Sequence, residues 1–135
     1  MQIVQRRVGR LVEIRMEPPI TYAEAVIFAA ELQNTVKRMT ERFVAVADFS
    51  RVHIFPQEVV STHVDSMRAL NPKLERTGVL TASSPTLSLQ MARLLRDGSN
   101  PKRRAFTKPD ELCLWLSEVL TPPEQARLKV FLASP

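Results

Sequence analysis

Two histidines, one cysteine and one carboxylate at a strand end are the side chains of this 135-residue chain best suited by type to do chemistry: His53, His63, Cys113 and Asp48. Nucleophilic or metal chemistry would set a histidine beside Cys113 or a carboxylate. Cys113 lies instead in Leu112-Cys113-Leu114-Trp115, an apolar helical segment, and reads as a packed thiol. His63, beside Asp65, occupies an apolar position of its own helix and reads as a structural histidine with its hydrogen bonds satisfied. His53 follows the central strand and is the better placed of the two to face a cleft, without a partner nearby in sequence. No pair of Cys or His has metal-ligand spacing. The three glycines, Gly9, Gly78 and Gly98, are too scattered to form a phosphate-cradling loop. Asp48 is the best single candidate for a general base, although a carboxylate there more often caps a turn. Ser83-Ser84-Pro85 marks a strand-to-helix corner that could hold an anion, but Ser84 as an N-cap before Pro85 accounts for it. No catalytic constellation, cofactor site or metal site emerges, and a non-enzymatic role is expected.

The elements that must position these groups can be read from spacing. Ile3, Val4, Val8, Leu11, Val12 and Ile14 suggest two short strands joined around Gly9-Arg10 as a hairpin. Thr21 and Glu24 have capping-box spacing, and Tyr22, Ala25, Val26, Ala29, Leu32, Val36 and Met39 are expected to share one helical face. Arg42 to Ser50 is a buried strand ending in a polar corner. Pro56 is expected at the first position of a helix carrying Val59, Val60, His63, Val64, Met67 and Leu70, stopped by Asn71-Pro72. A strand from Gly78 to Ala82 precedes a helix with Leu87, Met91, Leu94 and Leu95 inward, which ends at Asp97-Gly98-Ser99-Asn100-Pro101. Arg103 to Thr107 is a last strand, and Leu112, Trp115, Leu116, Val119 and Leu120 mark a fourth helix. Thr121-Pro122-Pro123-Glu124 opens a final amphipathic helix with Ala126, Leu128, Phe131 and Leu132. The order predicts a single α/β domain with a mixed sheet of about five strands.

A length of 135 residues with 44% apolar and 24% charged side chains suits one soluble domain with a real core. A single cysteine excludes an internal disulfide, nothing at the start resembles a signal peptide, and no apolar run is long enough to span a bilayer. A cytoplasmic location is expected. The net charge of +5 raises nucleic acid as a partner. The basic residues are nevertheless dispersed, and only Lys102-Arg103-Arg104 forms a compact run.

The element order, with these residues, resembles the STAS class, the fold of sulfate-transporter and anti-sigma-factor-antagonist domains, and in particular its bacterial STAS-like relatives. Val44-Ala45-Val46-Ala47-Asp48-Phe49-Ser50 is similar to that family's apolar strand with its Asp/Asn-hydrophobic-Ser ending. Ala105-Phe106-Thr107, followed by Asp110-Glu111-Leu112 and Trp115-Leu116, resembles its closing strand and final helix. The resemblance covers a core of about residues 1–120 and leaves an extra C-terminal helix at about 122–133. It implies a regulatory module acting through protein contacts. One departure stands out. Where antagonists of this family carry an Asp-Ser-Ser-Gly turn with a phosphorylatable serine, this chain has Pro56-Gln57-Glu58.

The leading expectation is therefore a non-enzymatic interaction module, with Phe55, Gln57, Glu58, Ser61 and Thr62 as the partner-binding edge. A homodimer through the C-terminal helix is one fate for Phe131 and Leu132, and packing back on their own domain is the other. The alternative function is a carrier of a small apolar ligand or lipid in a cavity beside the sheet, lined by Met67, Met91, Leu94 and Leu95. Third comes nucleic-acid binding through Lys102, Arg103 and Arg104.

Overall fold

Gly9 makes the first turn: its φ of +57° lies in the left-handed region, and a Cβ there would run into the side chain of Glu124. The turn pairs β1 (Gln2–Arg6) antiparallel with β2 (Leu11–Met16), Gln2 opposite Met16. In the computed structural model, which describes residues 1–134, the chain continues through α1 (Tyr22–Lys37), β3 (Phe43–Phe49), α2 (Gln57–Leu70), β4 (Leu74–Thr81), α3 (Pro85–Asp97), β5 (Arg103–Phe106), α4 (Pro109–Ser117) and α5 (Pro122–Ala133). The five strands lie in sequence order, and β2 to β5 are parallel neighbours. Parallel crossovers are right-handed. Three of them advancing in one direction leave α1, α2 and α3 on the same face of the sheet. The opposite face is open to the C-terminal pair, α4 and α5.

Two cores result, and strand alternation sorts residues between them. In β3, Ala45 and Ala47 face α1–α3, with Phe28, Leu32, Val59, Leu87 and Leu94. Val44 and Val46 face the other way, with Leu11, Leu112, Leu116, Leu128 and Phe131. Helix α5 thus packs back on its own domain, with Leu128 and Phe131 buried. A homodimer built on that helix would have to do without Leu128 and Phe131, while Leu132 is only partly buried.

Several boundaries differ from the sequence reading. The inward stripe of α1 is Ala25, Phe28, Leu32 and Val36, whereas Tyr22 and Val26 are exposed. Phe28 at i+3 from Ala25 carries the face that Tyr22 and Val26 were expected to share. Thr21 caps α1 by accepting from the Glu24 N–H, at 3.2 Å. The full capping box forms at α5, between Thr121 and Glu124. Pro56 is the N-cap of α2, so the helix starts one residue later than expected. Strand β4 begins at Leu74, four residues before Gly78, and a register shift against β3 between Phe43 and Val44 accounts for Leu74 and Thr77, three residues apart, both being buried. Among the described residues, no helix is long and apolar enough to cross a membrane.

Candidate functional site

The edge at the start of α2 is only partly the surface its sequence suggests. Phe55 is buried, its ring edge-on to Phe49 at 5.6 Å and to His63 at 5.1 Å. Its backbone is clamped to α3: the Phe55 N–H donates to Gln90 Oε1 at 2.8 Å, and Gln90 Nε2 donates to the Phe55 carbonyl at 2.9 Å. Phe55 therefore anchors the loop from inside the core. Gln57, Glu58 and Ser61 are exposed, and Thr62 is half-buried with its hydroxyl donating to the Glu58 carbonyl at 3.0 Å. No side chain caps α2, and Glu58 lies in its first turn, where a negative charge complements the helix dipole. A side chain missed in the sequence completes this edge. Ile54 is 59% exposed and, with Pro18, Ile20 and Pro56, lines a shallow apolar hollow of about 300 Å³.

Asp48 does what strand-end carboxylates usually do. Its Oδ1 accepts from the Ser50 N–H at 3.0 Å and the Ser50 hydroxyl at 2.6 Å, and Oδ2 pairs with Arg15 Nε at 3.3 Å. Ser84 likewise caps α3, accepting from the Leu87 N–H at 3.2 Å. Cys113 is half-buried against the second core.

The basic run is not a patch. Strand alternation sends neighbours to opposite sides of β5, so Lys102 is exposed while Arg103 turns inward and is 6% exposed. Arg103 Nη2 donates to the Met67 carbonyl at 2.9 Å and Nη1 to Asn71 Oδ1, holding the C-terminal end of α2. Arg104 is exposed but lies over the rings of Phe106 and Trp115, at 5.1 and 5.3 Å. With one guanidinium buried and one stacked, the nucleic-acid reading loses the cluster it rested on.

Beneath α2 lies a cavity of about 60 Å³. One wall is the row Ala45, Thr77 and Arg103, which are register neighbours on β3, β4 and β5. The other is the helix face His63, Ser66, Met67 and Leu70, at positions i, i+3, i+4 and i+7. Phe28, Leu32, Phe43, Ala47 and Phe49 add apolar lining. The space exists because β3 presents two alanines, Ala45 and Ala47, to this side and two valines to the other. Of the residues expected to line a cavity, Met67 and Leu94 do. Met91 borders a separate groove beside β5, and Leu95 packs on the core margin.

Of the polar groups around this cavity, sequence reasoning missed Ser66, while His63 and Arg103 were marked for other roles. His63 was expected to be satisfied, yet its Nε2 is buried without a hydrogen-bond partner, as is the Ser66 hydroxyl. Burial pushes the His63 imidazole down to about 4, so it is neutral at pH 7. Burial likewise pushes the Arg103 guanidinium down to about 10, still charged at that pH. The available signals were the small residues of β3 and the helical spacing of His63 and Ser66.

No protein-family model matches the chain, and no curated protein matches it in sequence. Among solved structures it is similar to the anti-sigma factor antagonist SpoIIAA in its unphosphorylated form, with a TM-score of 0.66. The superposition covers 90% of this chain and 100% of that one. The fold is that of a STAS domain. Sequence identity is 16%, so the likeness to the antagonist is one of architecture. Within this STAS fold, α5 is a working part of the second core, since Leu128 and Phe131 close it over Leu11 and Val44.

Proposed function

We propose that this chain is a non-enzymatic STAS-type interaction module that engages a protein partner through the edge at the start of α2, without the serine switch of the antagonists. The observation that carries this reading is the exposed Ile54 and its apolar hollow beside Gln57, Glu58 and Ser61. An exposed branched side chain next to a fixed charge offers an anchor and a register for a partner surface. Glu58 supplies a permanent negative charge near the helix N-terminus, in the region where the family resemblance would put a phosphate. The partner side should therefore present an apolar contact flanked by a cation.

A photo-crosslinker placed at Ile54 and read by mass spectrometry tests this reading. The expected result is a discrete crosslinked protein in its native lysate, lost when Glu58→Lys is added to the crosslinker-bearing chain. Glu58 is exposed, so that change should leave folding intact, which circular dichroism checks. A crosslink that persists unchanged in the Glu58→Lys chain would overturn the assignment of this edge.

A second reading, carriage of a small ligand, is favoured by the cavity beneath α2. Its volume of about 60 Å³ suits a ligand of a few heavy atoms better than a lipid chain.

A further inference from the structure

We infer that the cavity beneath α2 is a binding site for a small organic acid, its carboxylate facing Arg103 and Ser66 and its short apolar body resting on Ala45 and Ala47. The inference deepens the ligand-carrying reading and shares its dependence on the cavity being accessible.

Charge is the first argument. Arg103 is nearly fully buried, and no carboxylate among the described residues lies within ion-pair distance of it. A buried cation ordinarily has an anion against it. Two of its five N–H donors reach Asn71 and the Met67 carbonyl, where the end of α2 contributes only about half a negative charge. Arg103 is also the one formally charged side chain in the cavity wall, so an incoming anion meets no like charge.

Unmet hydrogen bonding is the second argument, and it is independent of charge. The Ser66 hydroxyl and His63 Nε2 are both buried and unpartnered, and they sit one helical turn apart on the same wall. Each such group costs free energy until something pairs with it. A carboxylate has two oxygens and about four lone-pair positions, enough to accept from both Arg103 and Ser66. Apolar lining comes from the methyl groups of Ala45, in the same row as Arg103, and of Ala47, and from the rings of Phe28 and Phe43. Polar and apolar lining together, in a space of about 60 Å³, describe a small acid of about two to four carbons.

Titration of the 135-residue chain, followed in amide proton–nitrogen correlation spectra, tests the inference with three probes: isobutyrate, its neutral isostere isobutyramide, and benzene. Isobutyrate should shift amides from His63 to Leu70 and at Thr77 and Arg103 saturably, with an affinity at least about tenfold above isobutyramide. Ala47→Val, which adds two methyl groups to the cavity lining, should abolish binding while preserving the fold. Arg103→Met should erase the preference for the acid. Should that variant fail to fold, the isobutyrate-to-isobutyramide ratio and Ala47→Val still decide the matter. Equal or tighter binding of isobutyramide or benzene, lost in Ala47→Val, would overturn the acid and leave ligand carriage standing. Isobutyrate binding that survives in Ala47→Val would place it elsewhere and overturn the site. No response to any probe would sink both readings and make the cavity a compartment for water.

Discussion

The two faces of the sheet treat buried polar groups in opposite ways. On the α4–α5 face every such group has found its partner. Glu13, fully buried, accepts from both Arg127 Nε and Nη2 at 2.7 Å and from Gln5 Nε2 at 2.9 Å. Glu124 accepts from the N–H of Arg10 at 2.7 Å and of Thr121 at 2.8 Å. Burial pushes the Glu124 carboxyl up, but those backbone donors, the Thr121 hydroxyl and the Arg10 charge outweigh it and leave the group below its usual range. On the α1–α3 face, among the described residues, His63 Nε2 and the Ser66 hydroxyl have no partner and Arg103 has no carboxylate within ion-pair distance. The difference teaches that the first face is a finished core, whereas the second has the features of a site.

The largest test of that contrast is Leu128→Ala. Leu128 is fully buried in the finished core, so its truncation should cost about 2–5 kcal/mol in denaturant unfolding. A loss below about 1 kcal/mol would mean that α5 is not integral to the fold. Next in size is pH. With its folded value near 4 and an unfolded value of 6.5, neutral His63 contributes stability that is fully present above pH 6.5. That contribution is lost as pH falls from 6.5 through 4, on the order of a few kcal/mol. His63→Phe should flatten the stability profile in that window, and an unchanged slope would refute the burial of this imidazole. A smaller contrast comes from neighbouring positions of one strand. Val46→Leu, facing the tight side, should cost about 1–3 kcal/mol, while Ala47→Val should be neutral or stabilise by up to about 1 kcal/mol. Equal costs for the pair would show that the two faces are packed alike. The smallest effect is expected for Ser66→Ala. Removing a buried hydroxyl without a partner relieves its desolvation cost and should stabilise by up to about 1 kcal/mol in denaturant unfolding, and a loss of stability would show that the hydroxyl is partnered.

Much of the architecture was legible because each element carries a local signature. Thr121-Pro122-Pro123-Glu124 and Ser84-Pro85 name helix starts, and Asn71-Pro72 and Gly98 name stops, from chemistry internal to a few residues. The site was far less legible, for a physical reason. Lys102-Arg103-Arg104 is a cluster along the chain, but on a strand its members diverge, and only the register of β5 against β4 shows where Arg103 goes. Phe55 lies next to a surface helix start in sequence and inside the core in space, a distinction drawn by its contacts with Phe49, His63 and Gln90. The unpaired state of His63 could not be read at all. It depends on what is absent from the opposite wall, and that wall comes from strands distant in sequence. The alternation Val44-Ala45-Val46-Ala47 did hold the clue, since it gives one face volume and the other room.

The strand order has a consequence in time. Because β1 to β5 join the sheet in the order of the sequence, each new segment of a growing chain meets a neighbour already made, and no strand waits for a distant one. Only the surface formed by Leu11, Val44, Val46 and Leu80 has no cover until residues 109–133 appear. Until then the chain presents an apolar sheet face to its surroundings, which is the condition under which partly made proteins stick to one another. The last two helices thus supply the cover for a sheet face that the earlier segments leave open.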